Sequence, residues 1–347
     1  MGDPIDSDRL MFFPRSTYAN ALRARLPAQA FARAPSRVVL VPIYLAAIAG
    51  SIVVLAMHWV PWEVVPVVSI AIGASFACLT FVAHEVLHGG IVRGKTLQLV
   101  VGWVAFLPFL LSPRLWIGWH NQTHHANANH DDDPDCYPTL DRYRESRMAR
   151  FSVDAFSLGG RRYRGLLSLA LGFTVQSADQ LRSAGDRGLL RRADHQRALA
   201  ETGAALLVWT TVAGLVGFVP FVFGFIVPLV IGNACVMAFI LTNHSLSARP
   251  SIDDPLASGL SVTTSRLIDL ATLNFGLHVE HHLFPAMSSR HTPLVRDLVQ
   301  EIWPERYQSM SIARALGQLF RTGRVYKNST TLIDPTTGCE FSTLLPR

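Results

Sequence analysis

The segment from Gly118 to Asp135, GWHNQTHHANANHDDDPD, is dense in side chains that can bind metal ions. It contains four histidines and four aspartates within eighteen residues, and it closely follows an apolar run. Three other motifs, HEVLH, LTNHS and HVEHH, also carry histidines. Together the four motifs hold nine of the thirteen histidines: His84, His88, His120, His124, His125, His244, His278, His281 and His282. Neutral imidazole is a good ligand for iron and zinc, so this set predicts a metal centre.

The spacing within the motifs favours ligands that share one face of a helix. Residues four apart lie about 40° apart around a helix axis, whereas neighbours lie about 100° apart. The pairs expected to share a face are His84 and His88, His120 and His124, and His278 and His282. Adjacent histidines diverge, so that one motif can reach two ions. Two ions that take about four or five nitrogens each would use all nine histidines.

The composition predicts an integral membrane protein. Half of the 347 residues are hydrophobic and only 16% are charged, with a mean hydropathy of +0.27. A soluble domain averages about 25% charged residues. Four apolar runs, at residues 38–60, 65–83, 198–218 and 221–243, approach the ~20 residues that a spanning helix requires. We therefore predict an all-α fold with four transmembrane helices.

A shorter apolar run, Leu97–Leu111, must return the chain to the side from which it came. Only 31 residues lie between His88 and His120, whereas two spans and a turn need about 40. A single span would put His120 on the opposite side from His88. We predict that this run forms a re-entrant or interfacial helix. All nine histidines then meet at one membrane–cytosol boundary, under a cytosolic helical cap that carries the histidine boxes.

Taken singly, each motif has a plainer interpretation. Two histidines four residues apart on a helix arise often by chance, HNQTHH alone fits a solvated loop, and His244 alone fits a helix end. Their coincidence at one membrane edge favours a joint metal site, because ionisable residues there are unfavourable and usually functional. The remaining histidines are interpreted as ordinary residues: His58, His130, His195 and His291.

The positive charges predict the orientation and the domain organisation. No lysine or arginine occurs at residues 38–92 or 198–248, whereas arginines are dense before residue 38 and between residues 142 and 197. By the positive-inside rule, both termini and the middle region are cytosolic. The predicted parts are a cytosolic N-terminal segment (1–37), a membrane domain (38–293) with a cytosolic insert (126–197), and a cytosolic C-terminal cap (294–347).

The net charge of +6 is interpreted as juxtamembrane charge that faces anionic lipid. The sequence has no basic motif of a nucleic-acid-binding fold, so nucleic acid is not an expected partner. Lys95 and Lys327 are the only lysines among 31 basic residues. This arginine bias favours a bacterial chain, and hence the inner membrane of a bacterium.

Three motifs, HEVLHGG, GWHNQTHHANANHDDDPD and GLHVEHHLFP, resemble the histidine boxes of the membrane fatty acid desaturase family. With the four spans, the resemblance covers roughly residues 38–293. It implies a non-haem di-iron centre held by the eight box histidines. His244 is similar to the further histidine that the family carries after its last span. The resemblance also implies O2 as the oxidant and removal of two hydrogens from a fatty acyl chain.

The chain departs from some members of that family. Three residues separate the first two histidines of the second box, where many members have two. The last box begins with His278, where one branch has glutamine, and no HPGG haem-binding segment is present. The same histidine pattern serves hydroxylases and carotenoid ketolases or hydroxylases, which therefore stay open. A zinc- or copper-handling membrane protein without enzymatic activity is a remote alternative, which metal analysis would distinguish.

Chemistry of this kind needs carboxylates that orient the imidazole rings and an apolar tunnel for the acyl chain. The candidate carboxylates are Glu85, Glu280 and the run Asp131–Asp135, from which Asp131 and Asp135 are selected. The alternative for the aspartates is a helix cap near Pro134. The candidate residues at the tunnel mouth are Trp116, Trp119 and Phe275. Interfacial anchoring is the alternative for these aromatics.

A desaturase also needs electrons, because the acyl chain supplies only half of those that reduce O2 to water. The sequence has no GxGxxG fingerprint, no haem segment and no cysteine set for an iron–sulfur cluster. We therefore predict a separate electron donor of the ferredoxin or cytochrome b5 type. The basic surface predicted to receive it comprises Arg142, Arg144, Arg147, Arg161, Arg162 and Arg164. Contact of these arginines with anionic lipid is an equal alternative.

Overall fold

The structure, a computed structural model, describes residues 12–345 as a largely helical chain. Four of its helices are long and apolar enough to cross a membrane: Ala28–Ala56, Trp62–Leu87, Arg192–Val216 and Phe218–His244. The predicted fold class, a helical membrane protein with four spans and a re-entrant element, is confirmed. Residues 1–11 and 346–347 lie outside the described residues. The prediction that both termini are cytosolic therefore concerns residues that the structure does not describe.

The helices are numbered in chain order. They are α1 (Arg15–Arg23), α2 (Leu40–Ala56), α3 (Val65–Leu87), α4 (Lys95–Phe106), α5 (Pro113–Asn127), α6 (Leu140–Glu145), α7 (Arg147–Phe156), α8 (Leu166–Ser183), α9 (Arg192–Val216), α10 (Phe218–His244), α11 (Pro255–Ser258), α12 (Arg266–Ala271), α13 (His278–Leu283), α14 (Thr292–Ile302) and α15 (Ile312–Arg321). Short 3₁₀ turns at Ala28–Phe31, Pro35–Val39 and Trp62–Val64 extend the first two spans at their N-terminal ends.

The second and fourth spans, α3 and α10, approach closely because small residues meet at their crossing. An added Cβ at Gly73 would lie 2.7 Å from the Cβ of Ile231, and one at Gly232 would lie 3.2 Å from the Gly73 carbonyl oxygen. In lipid, where apolar burial does not drive helices together, such contacts let two backbones pack. Phe76 lies at this crossing and its ring meets that of Phe109, with centroids 6.5 Å apart.

Helices α4 and α5 form the re-entrant element. The pair is bent by 101° at a short break that contains Leu110, whose φ is +56°. Ser112 begins α5 by accepting a hydrogen bond from the backbone N–H of Arg114 at 3.1 Å. Glu201 of α9 then fixes the bend, because its carboxylate accepts from Ser112 Oγ at 2.6 Å and from Arg114 Nε at 2.8 Å. The chain thus returns to the boundary from which it entered, as the histidine spacing requires.

Five short strands within residues 12–345, absent from the prediction, lie outside the spans. β1 (Ser261–Thr263) pairs in parallel with β2 (Ser309–Ser311). An antiparallel sheet is formed by β3 (Val325–Asn328), β4 (Thr331–Ile333) and β5 (Glu340–Ser342). Each strand has three or four residues, too few for the alternating pattern that reveals a strand in a sequence.

A buried carboxylate joins the N-terminal segment to the cap. Asp254 is fully buried, accepts a hydrogen bond from the backbone N–H of Phe13 at 2.8 Å, and pairs with Arg306 at 3.1 Å. Apolar residues complete the contact, since Tyr18 and Leu22 of α1 pack in one cluster with residues of α13 and α14. The beginning of the described chain therefore packs against the element that carries the last histidine box.

Candidate metal centre

The four histidine motifs meet where spans end and where the re-entrant element returns. His84 lies in the last turn of α3, and His88 immediately follows that helix. His244 is the last residue of α10, the second box lies on α5, and the last box begins α13. Helices α3 and α10 end at the same boundary, to which α5 returns. The fold therefore brings together nine side chains from distant parts of the sequence.

Five histidines form the first group. They are His84, His88, His120, His125 and His281, and each offers a ring nitrogen within 4.8 Å of the others. His120 Nε2 lies 3.1 Å from His84 Nε2 and 3.2 Å from His125 Nε2. His281 Nε2 lies 3.0 Å from His125 Nε2. The ring nitrogens therefore converge on one small volume.

The other four histidines form the second group. They are His124, His244, His278 and His282, whose ring nitrogens also lie within 4.8 Å of one another. His244 Nε2 is 2.6 Å from His278 Nε2, and His282 Nε2 is 3.1 Å from the same atom. The rings of His124 and His125 point into different groups, and so do those of His281 and His282.

His120 and His124 lie on one face with stacked rings, and with Asp135 they form a third possible metal group. His120 lies in the group of five and His124 in the group of four, with ring centroids 5.1 Å apart. The segment Ile117–His124 is a π-helical stretch rather than an α-helix. Within it, Thr123 Oγ1 donates to the carbonyl oxygen of Gly118, five residues back, at 2.9 Å. Such wider turns occur often at functional sites.

The donor set fits a pair of metal cations. A neutral imidazole has one N–H, so several converging Nε2 atoms cannot all donate to one another, and their lone pairs favour a cation among them. His88 Nε2 is buried without a hydrogen-bond partner. Burial lowers the pKa of His88 to about 3. Burial, and to a smaller extent repulsion by neighbouring histidines, lowers the pKa of His125 and of His282 well below 6.5. These rings are therefore neutral, as metal ligands must be.

A carboxylate within the predicted run Asp131–Asp135, but not one of the two residues selected from it, orients His124. Asp133 is buried, and its Oδ1 accepts a hydrogen bond from His124 Nδ1 at 2.9 Å. Burial alone would lower the pKa of His124, but the Asp133 carboxylate raises it to about 9. Without a metal this ring therefore holds a proton on each nitrogen; a metal at Nε2 would displace that proton, while Asp133 keeps the one on Nδ1. The Ser258 carbonyl does the same for His244, whose Nδ1 lies 3.0 Å away.

Asp135, one of the predicted carboxylates, lies beside this pair. Its Oδ2 is 3.6 Å from His124 Nδ1, and its Oδ1 accepts from Trp119 Nε1 at 2.8 Å and from Gln176 Nε2 at 2.6 Å. Burial raises the pKa of Asp135 to about 6. It also offers an oxygen close to ring nitrogens of His120 and His124. Asp135 thus positions Trp119 and Gln176 beside the site and forms no direct hydrogen bond to an imidazole.

Glu85 does not orient an imidazole, contrary to the prediction. Its carboxylate pairs with Arg37 at 2.6 Å and accepts from the hydroxyls of Ser288 at 2.5 Å and Ser289 at 2.8 Å. Neighbours on a helix lie about 100° apart, so Glu85 faces away from the ring of His84. It instead links the beginning of the first span, the end of the second span and the loop after α13.

Glu280 and Asp131 also fail the prediction. Glu280 is fully buried, and it accepts from Ser261 Oγ at 2.6 Å and from the Tyr307 hydroxyl at 2.5 Å. Burial raises its pKa. The side chain of Asp131 is 83% exposed and pairs with Arg249. Neither carboxylate forms a described hydrogen bond to a histidine ring, because one faces the cap and the other faces outward.

Trp116, Trp119 and Phe275 line a cavity that touches both groups. The Trp116 ring stacks on that of His120 with centroids 4.3 Å apart, and the Phe275 ring lies 5.0 Å from that of His84. The cavity volume is about 20 Å³, enough for about one water molecule. A second cavity of about 20 Å³ also touches Phe275. Neither cavity is large enough for an acyl chain, since ligand pockets usually measure about 300–1,000 Å³.

The remaining histidines lie outside both groups. His195 Nε2 donates to the carbonyl oxygen of Leu181 at 2.8 Å, on a different part of the chain. His58 lies in the turn between the first two spans, with a φ of +53°. His130 and His291 likewise belong to neither group.

Four spans and nine histidines gathered at one membrane boundary define a membrane protein of the histidine-box class. Comparison of the sequence with known families finds a match to the family described as fatty acid desaturase over residues 61–314, which includes all nine histidines. The match covers well over half of the chain, which therefore belongs to the fatty acid desaturase family. No curated protein matches the chain.

Proposed function

We propose that this protein is an O2-dependent fatty acyl desaturase with a non-haem di-iron centre. It introduces a carbon–carbon double bond into an acyl chain carried by a lipid, by coenzyme A or by a carrier protein. The observation that carries the proposal is the division of nine histidines into groups of five and four. Membership of the desaturase family supports the class of reaction, and imidazole ligands suit iron.

Each histidine group is proposed to hold one iron, so that all nine histidines are ligands. The ligands are His84, His88, His120, His125 and His281 for one ion, and His124, His244, His278 and His282 for the other. When bound, the irons supply the oxidising power that removes hydrogen from an unactivated methylene, which no side chain can provide. The protein contributes placement, tautomer control and exclusion of water.

The chain's own residues prepare the centre in two ways. Asp133 holds a proton on His124 Nδ1, and the Ser258 carbonyl holds one on His244 Nδ1, so that both Nε2 atoms face the site. Trp116 and Phe275 cover ligand rings with apolar surface and keep bulk water away. A dry site strengthens electrostatic interactions and limits side reactions of an oxidising centre.

The acyl chain is proposed to bind against Trp116, Trp119 and Phe275. Phe275 lines both small cavities beside the histidines, so a change in its rotamer would join them. This proposal is supported by the apolar surface next to both groups, which matches a methylene chain. Opening is required for binding, since each cavity now has a volume of about 20 Å³.

The remaining expectations on location are part of the same proposal. The histidine boundary faces the cytosol, and the chain resides in the inner membrane of a bacterium. Residues 1–37, 126–197 and 294–347 form the cytosolic parts around a membrane domain at 38–293. The support is the distribution of arginine, which is absent from residues 38–92 and 198–248.

The decisive experiment measures iron and turnover in variants of each group. His124→Ala and His281→Ala remove one ligand from the group of four and one from the group of five. In both variants we expect fewer than two irons per chain and at least a hundredfold loss of turnover. Loss of a residue that only hydrogen-bonds to a ligand already changes metal affinity or activity about 10–100-fold. His58→Ala and His195→Ala are the matched controls and should keep both properties. Normal iron and turnover in both ligand variants would exclude the shared centre.

Product analysis separates desaturation from the related reactions. The purified protein, given an acyl substrate, O2 and a reduced donor, should yield a product lighter by two hydrogens. A product heavier by one oxygen would assign the protein to the hydroxylases instead. Stoichiometric zinc without O2 consumption would point to a metal-handling protein.

A further inference from the structure

A polar groove of about 410 Å³ lies at the histidine boundary but outside the metal centre. Its walls come from the beginning of α4, from α5 and from the beginning of α9, and include Lys95, Arg114, Gln122, Arg191 and Asp194. Helix α5 separates the groove from the histidines, because Trp116 and His120 lie on the inner side. The volume is within the range of about 300–1,000 Å³ that is usual for ligand sites.

The charge in this groove is positive and only partly neutralised. Arg114 is held by Glu201 at 2.8 Å and lies 3.6 Å from Asp194. Lys95 and Arg191 are exposed, and the described residues include no ion pair or hydrogen bond from either side chain. Two cations therefore face the groove without an acidic partner, at a distance from the metal site.

Two helix beginnings add to the same potential. Helix α4 begins after Gly94 and α9 begins after Arg191; neither has a side chain that caps its first N–H groups, and Asp194 in the first turn of α9 is paired with Arg114 and Arg197. The free N–H groups and the helix dipole favour an anion at such a position. Two cations and two uncapped helix beginnings around one cavity fit an oxyanion such as a phosphate.

The surroundings of the groove identify the source of the phosphate. On α4, Leu97 and Val100 are 49% and 55% exposed, and on α9, Leu199 and Leu206 are 49% and 52% exposed. These apolar side chains lie on the helices that begin at the groove and run into the membrane. A phosphate with attached acyl chains would satisfy the cations and these faces together. We propose that the groove binds the phosphate of an anionic phospholipid, whose acyl chains lie along α4 and α9.

The test compares lipid binding by the full-length purified protein and a charge variant. Lys95→Ala combined with Arg191→Ala removes both unpaired cations, and Arg93→Ala combined with Arg192→Ala changes the net charge equally with side chains outside the groove lining. Affinity for phosphatidylglycerol, measured by native mass spectrometry, should fall about twentyfold in the groove variant, because each cation near an anionic lipid contributes about fivefold. The control should lose less than about threefold.

Three further results decide the source of the ligand and the role of the cavity. Phosphatidylcholine should bind more weakly than phosphatidylglycerol, and inorganic phosphate alone should not raise the melting temperature. Leu99→Trp, which fills the groove and keeps its charges, should also displace phosphatidylglycerol. Equal stabilisation by inorganic phosphate would overturn the lipid assignment. Equal loss in the groove and control variants, or unchanged binding in Leu99→Trp, would overturn the site.

Discussion

At the scale of single residues, the bond between Asp133 and His124 decides which ring nitrogen can bind a metal. An ionised carboxylate only accepts, so the proton must lie on His124 Nδ1, 2.9 Å from Asp133 Oδ1. The Nε2 atom then faces His244, His278 and His282. A partner of this kind also fixes the ring plane and raises the basicity of the ligand.

Asp133→Asn should weaken the group of four histidines and leave the fold intact. In the native protein, Asp133 accepts a hydrogen bond from the backbone N–H of Asn129 at 2.7 Å. The asparagine amide keeps an oxygen for this bond, but it lacks the negative charge of the carboxylate. We expect a fall of about 10–100-fold in turnover or iron affinity. Asp132→Asn, at the exposed neighbouring position, is the control. Equal losses in the two variants would show that the effect is general to this acidic segment.

Residue spacing was sufficient to predict that nine histidines converge, but not which carboxylates support them. Glu85 and Glu280 are each next to a histidine in sequence, and on a helix that position faces about 100° away. Asp133 is the third residue of an acidic run, and only the turn after Asn129 brings it rather than Asp131 to the ring of His124. Such a choice depends on backbone geometry that the sequence pattern does not contain.

At the scale of elements, the re-entrant pair α4 and α5 determines the geometry of the centre. Apolar length was sufficient to predict the return, because the chain between the first two boxes is too short for two spans. The π-helical stretch Ile117–His124 was not predictable, because the sequence there fits α-helical spacing equally well. The second box serves both groups, because the adjacent His124 and His125 lie in different ones.

Topology reporters should distinguish a return from a crossing. A reporter that is active only outside the cytosol should be active when inserted within Pro61–Val64, where the second span begins. The same reporter at Asn127, the end of α5, should be inactive, because the bend of 101° returns the chain. Activity at Asn127 would show that α4 and α5 cross the membrane as one span.

The ion pair of Glu85 and Arg37 should stabilise the junction of spans and cap. The two side chains are only 5% and 17% exposed, so removing one leaves the other charge buried. Glu85→Ala should therefore lower the free energy of unfolding by about 3 kcal/mol. Glu301→Ala, which breaks an exposed pair with Arg25, is the control and should change it by less than about 1 kcal/mol.

Measurement of Glu85→Ala in metal-free protein separates this junction from the metal site. A loss of thermal stability that persists after chelation shows that the pair holds the fold. If the variant is less stable than the native protein only when metal is bound, Glu85 instead belongs to the metal centre, as its position between His84 and His88 first suggested.

At the scale of the whole molecule, the centre is mostly buried, although His88 and His281 are partly exposed. The apolar surface near the histidines was predictable from the aromatics of the motifs. Its closure was not, because the volume of a cavity depends on rotamers such as that of Phe275, which lines both small cavities. Under the proposed function, an acyl chain must therefore open the site before it can bind.

The arginine-rich surface proposed for the donor has a mixed character. Arg162 is engaged, since it lies 3.9 Å from Asp154 and donates to Thr336 Oγ1 at 2.5 Å. Two apolar side chains lie near the other arginines in sequence: Met148 is 64% exposed and Phe151 is 60% exposed. Exposed apolar side chains beside arginines also fit a membrane surface rich in anionic lipid. Charge alone does not choose between donor and lipid, so the choice needs a kinetic measurement.

Turnover should depend on an added donor and on exposed arginines of this surface. We predict no product from purified protein, substrate and O2 until a reduced ferredoxin or cytochrome b5 is present, because the substrate provides only half of the electrons. Arg142→Glu with Arg164→Glu changes exposed side chains and leaves the engaged Arg162 intact. Donor-dependent turnover at low salt should fall about tenfold, since opposite charges mainly accelerate encounter.

Salt and a matched variant complete the argument about the donor. Arg192→Glu with Arg266→Glu makes the same change in net charge on exposed side chains elsewhere. This control variant should retain turnover. In the Arg142→Glu/Arg164→Glu variant, the turnover should depend much less on ionic strength, because salt can screen only the attraction between donor and enzyme that remains. Iron content should be unchanged in both. Equal turnover in the two variants would assign the arginine surface to lipid, and turnover without any donor would refute the requirement itself.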